Sequence, residues 1–178
     1  MRYCPLQSTG KHGTLYMPWT IVYGTQVYNV TDESALFNPG FHDWNTDVVE
    51  QRFYELLVDP FETARRRYLA RRFFQLIDDF KKFGIATEVW IDGSYVTEKQ
   101  SPNDIDAVFI VNHEEVERLS KHAKARMRRF ADRSYIEDLY DCHLFILRDD
   151  QNDLKEYFED WFGHSRSGKP KGLIRFYL

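Results

Sequence analysis

The chain has 178 residues, of which 43% are hydrophobic and 29% are charged, and its formal net charge is −4. This balance excludes an intrinsically disordered chain and a uniformly polyanion-binding one, although a local basic patch is compatible with it. Only two cysteines occur, Cys4 and Cys142, so a disulfide framework is not expected. No run approaches the roughly 20 apolar residues of a membrane-spanning helix, and no secretory signal is seen. We therefore expect a cytoplasmic protein.

The first part of the chain is predicted to be an arm of short strands and loops. Residues 1–45 are rich in Gly, Pro, Thr, Tyr and Asn, and residues 14–17, 20–23 and 26–30 have the pattern of short strands. Asn38-Pro39-Gly40 has the composition of a turn.

The rest of the chain alternates between helical and extended patterns. A short helix is predicted over about 47–57, and a longer one follows, with Asp59 as its N-cap, Pro60 at its first position and Gly84 just past its end. Residues 105–111 carry the strongest strand pattern. The other predicted elements are a strand over 86–91, a helix over about 114–131, a strand over 142–147, a helix capped by Asp153 and ended by Gly163, and an extended piece over 173–178. This order indicates a mixed α/β domain.

Two aspartates lie where the strand pattern of residues 105–111 begins. Alternate side chains of a strand share a face, so Asp104 and Asp106 are expected to point the same way. Two adjacent carboxylates repel each other, and a divalent cation between them removes that cost. Oxygen ligands suit Mg²⁺ or Mn²⁺ better than zinc. The pair therefore predicts a metal site.

A phosphate-binding turn and a third carboxylate complete the predicted site. Gly93-Ser94 directly follows a predicted strand; glycine allows a phosphate to approach the backbone, and serine adds a hydroxyl. Asp141, which precedes the strand 142–147, is the first choice for the third carboxylate, with a role in holding the metal and accepting a proton. Asp138 and Glu137 are the alternatives if the strand begins elsewhere.

These motifs resemble those of a known superfamily. A hydrophobic residue followed by Gly93-Ser94, and about ten residues later by Asp104-Ile105-Asp106, is similar to the pattern of the polymerase-beta-like nucleotidyltransferases, especially the minimal nucleotidyltransferases of bacteria and archaea. The longer block Asp-Gly-Ser-Tyr-Val-Thr with Pro-Asn-Asp-Ile-Asp resembles a group of uncharacterised bacterial proteins of this fold. The turn at 38–42 and the segment Gly-Lys-Pro-Lys-Gly-Leu-Ile at 168–174 also recur there.

The resemblance covers residues 37–178 and leaves residues 1–36 as an extension. It implies a nucleotidyltransferase fold, a mixed sheet flanked by helices, with Mg²⁺ or Mn²⁺ and a nucleoside triphosphate as ligands. It implies phosphate binding by Gly93 and Ser94, and metal binding by the three aspartates named above. Many minimal nucleotidyltransferases have a basic residue three positions after the serine; here that position is Thr97, and the nearest candidate cation is Lys99.

The expected activity is transfer of a nucleoside monophosphate to a hydroxyl of a protein, an RNA or a small molecule. The first alternative is a catalytically silent relative, an antitoxin-like or nucleotide-sensing protein with a protein partner; Thr97 favours it slightly, and the intact aspartate pair argues against it. The second alternative is an RNA-binding module, since basic residues crowd two predicted helices at 65–72 and 121–129. We interpret those residues as solvated helix faces balanced by nearby acidic residues.

Several single residues have both a structural and a functional interpretation. His143 shares its predicted strand face with Asp141 and could line the site, but a structural role is favoured; His113 and His122 have no convincing ligand spacing. Lys169 and Lys171 could reach a triphosphate or be ordinary surface lysines. Cys142, Trp161 and Phe162 are assigned to packing.

Overall fold

In the computed structural model, residues 33–178 are described. The strands predicted over 14–17, 20–23 and 26–30 lie outside them. The described part contains five strands, β1 Gly40–Asp43, β2 Thr87–Asp92, β3 Ile105–Val111, β4 Cys142–Arg148 and β5 Gly172–Tyr177. It also contains six α-helices: α1 Val49–Leu57, α2 Ala64–Lys81, α3 His113–Arg118, α4 Lys121–Phe130, α5 Arg133–Tyr140 and α6 Asn152–Phe162. The predicted mixed α/β class is confirmed.

The second predicted helix begins later than its sequence indicated. Asp59 and Pro60 start a short 3₁₀ turn, and Glu62 then adopts a left-handed conformation with φ 51°, which interrupts the helical path. Thr63, not Asp59, is the N-cap of α2, since its hydroxyl accepts a hydrogen bond from the Arg66 N–H. Gly84 follows α2 with a φ of +63°, but it is the second residue past the C-cap, Lys82, and not the first as predicted.

The helix predicted over 114–131 is divided, and a further helix follows it. Leu119 is extended, and Ser120 caps a new helix, α4, through a hydrogen bond from the Ala123 N–H. Asp132 in the same way caps α5, which the sequence pattern did not predict. In α6 the predicted cap Asp153 lies within the first turn instead, after Asn152.

The five strands form one mixed sheet in the order β1-β5-β2-β3-β4. β2 runs antiparallel to both β3 and β5, whereas β3 pairs with β4 and β1 with β5 in parallel. The register places Asp92 opposite Asp106, and Asp106 beside His143. Polar residues of the three adjacent strands β2, β3 and β4 therefore meet at one end of the sheet.

Helices cover the two faces of the sheet unequally. The larger core contains Phe53, Phe73, Phe80 and Phe109 and joins one face to α1, α2, α4 and α5. On the other face Trp90, Val108 and Leu147 pack with Phe158 and Phe162 of α6. Trp161 and Phe162 thus belong to this second cluster of packed side chains, and Cys142 is buried in the larger core. In the described part of the chain no helix is long and apolar enough to cross a membrane.

Candidate metal and phosphate site

Asp104, Asp106 and His143 converge beside the Gly93-Ser94 turn. Strand alternation places Asp106 on the same sheet face as Val108 and places His143 on that face as well, so both face the side that α6 covers further along. Ligand atoms of Asp104, Asp106 and His143 all lie within 4.8 Å of one another. The structure thus brings the two predicted aspartates together with a histidine.

His143 contacts three carboxylates at once. Its Nδ1 lies 3.2 Å from Asp106 Oδ1, and its Nε2 lies 3.3 Å from Asp104 Oδ2 and 3.0 Å from Glu137 Oε1. The hydrogen bond to Asp106 raises the pKa of His143. His143 therefore lies beside the aspartate pair, through its register with Asp106 and not through a face shared with Asp141. Glu137, named as an alternative to Asp141, lies at the edge of the site.

Asp141 lies outside this group, although it directly precedes β4. It ends α5 in a left-handed conformation, with a φ of 50°, so it does not follow the alternation of the strand. Its carboxylate is 3.3 Å from Arg65 Nη2 and accepts a hydrogen bond from the Tyr68 hydroxyl at 2.9 Å. The expectation that Asp141 faces the other two aspartates is thus wrong. His143, two residues further along the chain, lies beside them instead. Asp138 is exposed on α5.

Burial and mutual repulsion act on the aspartate pair. Burial raises the pKa of Asp104, and the neighbouring charge of Asp106 raises it further. His143 and, more weakly, Lys99 act in the opposite direction. A cation bound here would therefore relieve a cost that the fold already carries.

Gly93 is in close contact with Asp106. Its φ is +81°, and a Cβ built on it would lie 1.9 Å from Asp106 Oδ2. Only glycine provides both this backbone conformation and this space. The turn therefore lies directly against the Asp106 carboxylate. Residues 93–96 form a 3₁₀ turn, and the Thr97 hydroxyl closes it by donating to the Ser94 carbonyl at 2.8 Å.

A buried ion pair supports the same turn from β5. Lys171 Nζ is 2.5 Å from Asp92 Oδ1, and both side chains are less than 10% exposed, at 8% and 7%. Within residues 33–178 that oxygen accepts no hydrogen bond of good geometry, so it interacts with Lys171 through charge attraction. Burial raises the pKa of Asp92 to about 7, although Lys171 acts in the opposite direction. Lys171 is thus not a surface lysine, and its ammonium group is engaged by Asp92 and not available to a triphosphate. Lys169 is exposed.

Two arginines of α2 hold the loops that carry the site. Arg66 is fully buried and donates to the carbonyls of Leu57, Tyr95, Thr97 and Lys99 at 2.6 to 3.0 Å. Arg65 donates to the carbonyls of Pro102 and Asn103, just before Asp104. The interpretation of this cluster as a solvated face is wrong for Arg66, whereas Arg71 and Arg67, which is paired with Asp59, are exposed and fit it. A run of arginines in the sequence gives no signal that one of them is buried.

The comparisons with known proteins give one family. Residues 29–176 match the model of a family of unknown function, DUF6932. No curated protein and no solved structure matches the chain.

Proposed function

The chain belongs to the DUF6932 family of unknown function, and we propose that it is a metal-dependent nucleotidyltransferase. The observation that carries the proposal is the packing of Gly93 against Asp106, with Asp104 and His143 beside them. A turn that could accept a phosphate, in contact with one carboxylate of a pair, would provide the two halves of a site for a metal-bound triphosphate. The likeness of these motifs to those of minimal nucleotidyltransferases supports the same function.

The donor set fits a divalent cation. Asp104 and Asp106 would supply carboxylate oxygens, and His143 would supply a ring nitrogen once it is neutral. Mg²⁺ takes oxygen ligands almost exclusively, so an imidazole in the set favours Mn²⁺ over Mg²⁺. A bound cation would neutralise charge on the triphosphate.

The residues of the chain would bind and orient the reactants. The Gly93-Ser94 turn and Lys99 would hold the distal phosphates, and the carboxylate pair would face the α-phosphate. The acceptor hydroxyl oxygen would bond to the α-phosphorus as the bond from that phosphorus to the bridging oxygen breaks. Pyrophosphate would leave, and the hydroxyl proton would pass through a carboxylate of the pair to solvent.

The test is transfer of label from α-labelled nucleoside triphosphates by the purified protein, with cell lysate as the source of acceptors and Mn²⁺ or Mg²⁺ present. We expect labelled macromolecules with the wild type and a loss on the order of 100-fold or more with Asp106→Asn. Asp153→Asn, an exposed carboxylate on α6, is the matched control and should retain activity. Equal labelling by Asp106→Asn and wild type would refute the proposal.

A silent, nucleotide-sensing relative is the second candidate. Thr97 occupies the position of the expected basic residue, and its hydroxyl closes the turn. His143 already contacts both aspartates, so a protonated ring could balance them without a metal. This candidate predicts saturable nucleoside triphosphate binding with no pyrophosphate release.

A further inference from the structure

A cationic surface lies on α4, away from the aspartate pair. The ten residues of α4 include three arginines, two lysines and a histidine, and no acidic residue. Of these, Lys124 pairs with Glu117 at 2.7 Å. Arg126, Arg128 and Arg129 are exposed and form no ion pair with any residue in the described range 33–178. The interpretation of α4 as a face balanced by neighbouring acids therefore does not describe these three arginines.

A pocket opens beside these arginines, between α2, α4 and α5. Its volume is about 420 Å³. Cationic and aromatic side chains line it: His122, Arg126, Arg129, Phe130, Tyr135 and Tyr140. Phe130 and Tyr140 are buried at its base, and Tyr135 is half-buried with its ring centroid 6.4 Å from that of Phe130.

The one carboxylate that lines the pocket is already engaged. Asp79 accepts a hydrogen bond from the Tyr140 hydroxyl at 2.8 Å and another from Lys82 Nζ at 2.6 Å. These bonds hold the pKa of Asp79 below its ordinary value, so it stays charged and paired. Arg126 lies over the Phe83 ring, 5.2 Å from its centroid, and its charge also acts on Asp79. Neither Arg126 nor Arg129 forms an ion pair within the described residues, so both guanidinium groups can bind an external anion.

We propose that α4 and this pocket bind single-stranded nucleic acid. Arginines bind phosphates, and aromatic side chains stack on unpaired bases, so the lining matches one nucleotide unit. The cations Lys121 and Arg128 lie on the same helix but outside the pocket lining. They extend the positive charge beyond one nucleotide and favour a strand over a free mononucleotide. The ring of Tyr135, half-buried but lining the pocket, favours a strand over an acidic protein segment.

The surface is separate from the candidate metal site. α5 lies between them, since Glu137 contacts His143 whereas Tyr135 and Tyr140 line the pocket. Binding of the strand therefore does not depend on the proposed transfer reaction.

The test is fluorescence anisotropy of a labelled single-stranded oligouridylate, titrated with the full chain in EDTA and without nucleotide. Arg126→Gln/Arg129→Gln should weaken binding at least tenfold and reduce the slope of log affinity against log salt by about 1.4, two contacts at roughly 0.7 each. Arg166→Gln/Lys169→Gln removes the same charge from an exposed loop and should change affinity less than twofold. Equal losses in the two variants, or no loss in the first, would overturn the proposal.

Stacking and partner class are tested with the same titration. Tyr135→Ala should weaken binding several-fold, and Tyr135→Phe should restore it, since the ring rather than the hydroxyl stacks. Uridine monophosphate or oligoglutamate binding as tightly as the oligouridylate would overturn the proposal in favour of a mononucleotide or an acidic protein. Asp104→Asn/Asp106→Asn should bind the strand like the wild type, so failure of this proposal and failure of the transfer activity are distinguishable.

Discussion

Among single residues, Gly93 constrains the candidate site most strongly. We expect Gly93→Ala to abolish metal binding, because the new Cβ would occupy the position of the Asp106 carboxylate. Gly168 has nearly the same φ, +82°, but nothing lies within 4 Å of a Cβ there. Gly168→Ala is therefore a matched control that carries the same left-handed strain, about 1–2 kcal/mol, without the clash.

Calorimetric titration with Mn²⁺ together with urea unfolding of both glycine variants checks this prediction. We expect both variants to lose stability, Gly93→Ala by more because of the clash, and only Gly93→Ala to lose Mn²⁺ binding. Retained Mn²⁺ binding in Gly93→Ala would show that the turn and the carboxylates act independently.

The buried pair of Asp92 and Lys171 predicts a pH dependence of stability. The pKa of Asp92 is about 7 in the fold, above the value near 4 of an unfolded chain. The folded state then holds more protons than the unfolded state between about pH 4 and pH 7. The contribution of Asp92 to the free energy of unfolding therefore falls as pH rises through this range.

Denaturant unfolding of wild type and Asp92→Asn across that range measures this contribution, since the other titrating groups are shared. We expect the wild type to lose stability relative to the variant as pH rises. A constant difference between the two proteins from pH 4 to pH 7 would contradict the pKa of Asp92.

At the scale of elements, α2 fixes both loops of the site through its first turn. Arg66→Met would leave four buried or partly buried carbonyls without their donor, and unsatisfied groups cost about 1–3 kcal/mol each. We expect a loss of at least about 3 kcal/mol in urea unfolding. Arg67→Met removes the neighbouring, exposed ion pair with Asp59 and should cost less than about 1 kcal/mol. Similar losses in both variants would show that Arg66 has no special role.

The elements also show how far sequence patterns reach. The strand over 105–111 was predicted, and its pattern is strong because most of its side chains are buried. The division between α3 and α4 depends on one extended residue, Leu119, and on the cap Ser120. Serine and aspartate within a long helical pattern are common, so such caps carry little weight without the fold.

The candidate site was predictable where strand alternation applies and not where it ends. Asp104 and Asp106 come together because β3 keeps its alternation. Asp141 does not join them because its positive φ breaks the alternation at the end of α5, a conformation that an aspartate gives no clear sign of adopting. The Asp92–Lys171 pair joins residues far apart in sequence, and only the antiparallel pairing of β2 with β5 brings them together.

For the whole molecule, the proposed function predicts that stability and metal binding oppose each other at Asp104. In chelator at neutral pH, the charged Asp104 carboxylate costs stability, because burial and Asp106 raise its pKa in the fold. Asp104→Asn removes that charge, and its amide can still contact His143. We therefore expect the variant to melt at the same temperature as the wild type, or higher, in chelator.

With Mn²⁺ and a nucleoside triphosphate the order should reverse. Ligands that bind only the folded state stabilise it by about 2.7 kcal/mol at a hundred times their Kd, and the wild type should gain this whereas Asp104→Asn should not. Thermal melts of both proteins in the two conditions make the comparison, with Asp153→Asn expected to follow the wild type in each. A structural aspartate gives the opposite result in chelator, since its removal leaves hydrogen-bond donors without a partner. A lower melting temperature of Asp104→Asn in chelator, with no difference between the proteins in their response to Mn²⁺ and nucleotide, would therefore identify the pair as part of the scaffold and not as a metal site.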